Sequence, residues 1–84
     1  MEIFIKVAPR HYERLRSRIP AGSPVHEVIE NARRIDHSVE GVLFKGYNIL
    51  CDEEQACIIL EIARQCCPEI ISDIEGAIRL ARAR

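Results

Sequence analysis

Residues 53–67, EEQACIILEIARQCC, limit the possible architectures more than any other stretch of this chain. Stepped at about 100° per residue as a helix, Ile58, Ile62, Cys66, Ile59, Ala63, Ala56, Cys67 and Leu60 fall into one arc of roughly 200°. A helix resting on one face of a sheet uses about half that width. The flank must therefore be covered by another helix of the chain or by a second chain. Asp52 starts the segment as an N-cap, with Glu53 and Glu54 suited to the positive end of the helix dipole. Pro68 disfavours helical geometry at the residue before it, so this helix stops or kinks there and another begins.

Immediately before that helix, residues 42–44 (VLF) and 47–51 (YNILC) are apolar and β-prone, separated only by Lys45-Gly46. This pattern predicts a hairpin with a two-residue turn in which Gly46 supplies the positive φ. The chain opens on residues 1–8, where Ile3, Ile5 and Val7 alternate with Glu2, Phe4 and Lys6 as in a strand with one buried face. Phe4 on the second face hints that this side is not fully solvated.

Pro9 then begins a helix whose narrow apolar face is Tyr12, Leu15 and Ile19, with Arg10, Arg14 and Arg18 in a row along one flank beside His11. After the turn at 20–23, Ser23 and Pro24 read as N-cap and first helical residue of a second helix, 24–35. Its apolar side is Val25, Val28, Ile29, Ala32 and Ile35, and Glu30 is placed to pair with Arg33 and Arg34. Residues 36–38, including His37, form a short connection. The last helix, from Pro68, buries Ile70, Ile71, Ile74, Ala77, Ile78 and Ala81.

The expected fold class is therefore α+β, in the order β-α-α-β-β-α-α, with a three-stranded, mostly antiparallel sheet and helices packed on one face. With 84 residues, 48% of them hydrophobic, residues 1–84 make a single domain. An uncovered edge of such a sheet is a natural place for a second chain to pair.

A formal net charge of −1 gives no global pull toward nucleic acid or an anionic membrane. No apolar run has the length of a membrane span, the opening residues are too short for an export signal, and a soluble, cytoplasmic protein with reduced thiols is expected. Cys51, Cys57, Cys66 and Cys67 lack the C-x₂₋₄-C knuckle of structural zinc sites, so neither metal nor cofactor is expected. The histidines His11, His26 and His37 read as solvated. No glycine-rich phosphate loop or nucleophile elbow is present, so no catalytic residue is assigned.

These observations favour a non-catalytic interaction module that binds another protein chain, with itself as one such partner. The residues expected at the interface are Ile58 and Ile62, at the border between the apolar arc and the polar face. The alternative is a nucleic-acid-binding domain in which Arg10, Arg14 and Arg18 track phosphates and Arg33 and Arg34 extend the patch. A third reading is a thiol-dependent enzyme. Against it, Asp52, Glu53 and Glu54 oppose a thiolate at Cys51, and Cys57 has no histidine or second cysteine within expected reach.

Overall fold

The alternation at the start of the chain becomes β1 (Ile3–Val7), with Ile3, Ile5 and Val7 buried and Phe4 and Lys6 on the opposite side. The computed structural model describes residues 2–84, and within them every side chain except those at 37, 39, 43 and 44. Pro9 occupies the first position of α1 (Pro9–Arg18), where its missing amide is no loss. Tyr12 and Leu15 are the buried residues of this helix.

Tyr12 joins three elements. Its ring stacks on that of Tyr47 at a centroid distance of 3.9 Å and an interplanar angle of 12°, and its hydroxyl donates to the Ile29 carbonyl at 2.6 Å. Removing the hydroxyl takes away the shorter of the bonds to the Ile29 carbonyl, which keeps the Ala32 amide at 3.2 Å, and undoes the tie between the two helices. Tyr12→Phe is accordingly expected to lower the unfolding free energy by about 1–2 kcal/mol in a urea titration, with the fold retained.

Four expectations about the middle of the chain are corrected. The helix expected over 24–35 shrinks to α2 (His26–Glu30), and 33–39 is instead β2 (Arg33–Val39). Ser23 does not cap the helix: its hydroxyl is buried without a partner, and only its carbonyl meets the His26 amide, at 3.1 Å. Glu30 pairs with neither Arg33 nor Arg34, but takes Arg16 in a two-bond contact of 3.0 and 3.2 Å. The hairpin turn is at Glu40-Gly41, not Lys45-Gly46. Both turn residues have positive φ, 51° and 80°, as the primed two-residue turns require. Lys45 and Gly46 run on inside β3 (Val42–Cys51), which is one unbroken strand.

The physical reason is long-range. A ten-residue strand has backbone groups along its whole length, and β2 satisfies the part that β1 cannot reach. That ladder overrides the helical spacing of apolar residues in 24–35. His37 thus belongs to β2 and not to a loop, while its expected solvated side chain lies outside the described residues, as does the start of the expected first strand at Met1.

The sheet order is β1-β3-β2, antiparallel throughout, so the longest strand is central. Ile5 faces Ile49 and Ile3 faces Cys51 on the inner side, all buried beneath the helices. The ladder to β1 ends at Val7 and Tyr47, and beyond it β2 and β3 continue as a two-stranded arm.

The apolar helix forms as α3 (Glu53–Cys66), opened by a capping box between Asp52 and Gln55 with bonds of 2.8 and 3.0 Å. Pro68 ends it: a 3-10 turn (Pro68–Ile70) leads into α4 (Ile71–Arg82). Ala56, Ile59 and Ala63 are the buried stripe of α3, which packs against α1 on one side and α4 on the other, and Arg82 pairs with Glu53 across the second contact. Two neighbouring helices of the same chain thus cover most of the wide arc. Among the described residues no helix is long and apolar enough to cross a membrane.

Candidate interaction surfaces

The far side of β2 carries no strand. Across the two-residue turn, Val39 and Val42 are directly opposite, and a turn with positive φ at both residues closes on a hydrogen-bonded pair. In an antiparallel ladder such pairs alternate, so Val39, His37, Ile35 and Arg33 exchange bonds with β3. The backbone groups of Ser38, Asp36 and Arg34 therefore point away from the sheet, toward solvent. Arg33, Arg34, Asp36 and Ser38 are exposed and Ile35 is half-buried. Arg34 and Asp36 share one side of the strand and pair at 3.3 Å. No proline or bulge interrupts the edge, the usual devices by which such an edge is blunted.

Ile58 and Ile62 lie one turn apart on α3, half-buried, and border a shallow depression with Cys57, Glu54, Glu61 and Gln65. The helix arginines are diluted by acids: Arg14 lies 3.7 Å from Glu69, and Arg16 is held by Glu30. Arg10 donates to His11 Nε2 at 3.4 Å. Arg33 and Arg34 are neighbours on β2 and so face opposite sides of the sheet; Arg33 turns to the outer face beside Asn48, its partner in the ladder. The five arginines do not form one patch.

Sequence reasoning saw the apolar outer sheet face only at Phe4 and missed its partner Leu50. Phe4 and Leu50 are opposite one another there, 39% and 48% exposed, and Leu80 of α4 rises beside them at 63%. A groove of about 600 Å³ runs from Phe4 and Leu50 to Val28 and Pro24. Between the two rims Asn48 buries its Oδ1 with no donor. Phe4 was the visible signal, and Leu50 shared its outward phase.

The thiols differ in setting. Cys51 is in the core, its Sγ donating toward the Ile3 carbonyl at 3.8 Å, and burial, reinforced by Asp52, pushes its pKa up to about 11. Cys57 is exposed. Burial raises the Cys67 thiol pKa, helped by the bond it makes to the Glu69 carboxylate. His11, expected on a solvated flank, has a side chain only 12% exposed, with Nε2 4.0 Å from Glu69. Comparisons with protein-family models, with curated proteins and with solved structures give no match to this chain.

Proposed function

We propose that this protein is a self-associating interaction module in which the free edge of β2 pairs antiparallel with β2 of a second copy. The result is one six-stranded sheet, in the order β1-β3-β2-β2-β3-β1. The observation that carries this reading is the uninterrupted free edge, with the backbone groups of Arg34, Asp36 and Ser38 directed outward. A two-fold axis makes such a contact the same on both copies.

Charge selects the register. With the axis at Ile35, Arg34 of each copy stands opposite the partner's Asp36, and the outward backbone groups of both fall into hydrogen-bonded pairs. The two Ile35 side chains then meet in the closer, non-hydrogen-bonded position. Moving the axis to Arg34 or to Asp36 would set like charges against each other. Cross-strand pairs of this kind contribute roughly 0.2–1 kcal/mol each, enough to choose between registers that share the same backbone bonding.

The test is solution mass by light scattering at a low and a high protein concentration. The wild type is expected to rise to twice the chain mass. Arg34→Asp alone and Asp36→Arg alone are expected to stay monomeric, and the chain carrying both exchanges is expected to dimerise again. A monomer at every concentration overturns the proposal. So does a dimer that either single reversal leaves intact, or one lost only on Ile62→Glu, which would move the contact to the flank of α3.

A further inference from the structure

Three donors of different chemistry meet where the start of α1 lies against the junction of α3 and α4. His11 belongs to the first turn of α1, and Glu69 to the 3-10 turn. Cys67 follows α3, its amide held by the Ala63 carbonyl at 2.7 Å. Donor atoms of the three lie within 4.8 Å of one another, and among the described residues no other group of histidine, cysteine and acidic side chains converges in this way. Residues 11 and 67 are distant in sequence, so the grouping is made by the fold.

We propose that His11, Cys67 and Glu69 bind one zinc-class divalent cation, through an imidazole nitrogen, the thiolate sulfur and a carboxylate oxygen, with a fourth position open to solvent. Bonds of about 2.0–2.3 Å to a tetrahedral ion put neighbouring donors roughly 3.3–3.7 Å apart. Closing the present arrangement to that size takes a movement of about 1 Å, and Glu69, with its side chain 54% exposed, is free to supply it. The other two donors are held by packing: Cys67 is inaccessible to solvent, and the His11 ring is nearly so.

The lone pairs are also placed for it. His11 Nε2 accepts from Arg10 Nε at 3.4 Å, so this nitrogen carries its one lone pair, which is freed for a metal when the exposed Arg10 side chain swings away, and 4.0 Å away it faces a carboxylate oxygen that is an acceptor as well. A cation between them satisfies both. Thiolate and imidazole together favour zinc over magnesium or calcium, which take oxygen donors.

Two anionic donors neutralise a divalent ion, so Arg14 beside Glu69 meets no net positive centre. The Arg14–Glu69 contact that loosens is between half-exposed side chains, where ion pairs contribute little. On binding, the sulfur–hydrogen bond of Cys67 is replaced by a sulfur–metal bond, and the proton leaves to solvent.

The test is titration of the metal-free chain with Co²⁺, followed by displacement with Zn²⁺ and native mass spectrometry. One equivalent of Co²⁺ is expected to raise a thiolate-to-cobalt charge-transfer band that Zn²⁺ abolishes, and one zinc is expected per chain. Cys67→Ala should remove the band, while Cys57→Ser and Cys66→Ser should leave it. Because Cys67 is in the core, Glu69→Gln at the surface provides the variant that keeps the fold, and it should weaken binding by about tenfold or more. The proposal is overturned by absence of the band, by full affinity in Glu69→Gln, or by a band that depends on Cys57 or Cys66 and not on Cys67.

Discussion

Ile49→Ala is expected to lower the unfolding free energy by about 2–5 kcal/mol, the largest loss from any single truncation discussed for this chain. Ile49 is inaccessible to solvent, sits on the central strand and faces Ile5 across the ladder. Removing three carbons there takes away burial and leaves a cavity whose walls belong to a sheet and cannot close freely. The neighbouring residue supplies the control. Leu50 is 48% exposed on the opposite side of the same strand, so Leu50→Ala should cost no more than about 0.5 kcal/mol. Both are read as midpoints of urea unfolding at one protein concentration. Equal losses at the two positions would mean that the faces of β3 are wrongly assigned.

Raising the pH from 9 to 11 is expected to remove about 2 kcal/mol of stability through Cys51 alone, from a thiol pKa pushed up from 9.0 to about 11. In the unfolded chain the thiol loses its proton near pH 9, whereas in the fold it keeps it until about pH 11. Between these values the unfolded state binds fewer protons, so stability falls as pH rises; well below pH 9 the contribution is complete. The cause is burial first and the Asp52 carboxylate second, and the Cys51 contact with the Ile3 carbonyl needs the sulfur to carry its hydrogen. Other groups titrate in the same range, so the measurement is a difference. Cys51→Val, close in volume, should lose less stability per pH unit than the wild type by about 1 kcal/mol near pH 10. Identical alkaline slopes would show that Cys51 does not titrate differently in the two states.

Which parts of this structure could be read from the sequence follows the range of the forces involved. The α3 helix was legible because its signals are local: the acid at Asp52, the apolar spacing, and the proline at 68. The α+β class and the order of elements were legible for the same reason. The hairpin was misplaced because two glycines, Gly41 and Gly46, each follow a charged residue among apolar ones, and local pattern does not say which is the turn. The ladder between β2 and β3 decides it. Likewise 33–39 carries residues at a helical spacing and at a strand spacing, and only the strand has a partner waiting.

The candidate sites divide in the same way. An open sheet edge was foreseeable as soon as three strands were counted, and Ile58 and Ile62 do border an open depression on α3. The cluster of His11, Cys67 and Glu69 was not visible, because its histidine is distant in sequence from the other two donors and only the packing of α1 against the α3–α4 junction joins them. The outer-face apolar pair of Phe4 and Leu50 becomes evident only once the register sets them opposite.

Because β3 has both neighbours only at Tyr47 and Asn48, with β1 alone from there to Cys51 over the buried core and β2 alone from Val42 to Gly46 along the arm, the sheet contains two clocks. Amides of the half held beside β1 over the buried core are released to deuterium only when the whole domain opens, whereas those of the arm are released by local fraying at far smaller cost. The boundary falls between Gly46 and Tyr47, and Gly46 is the residue opposite Ile35. A chain that joins its neighbour about Ile35 would therefore slow the fast clock and leave the slow one almost untouched, so that the arm itself would record how many molecules in a solution are paired.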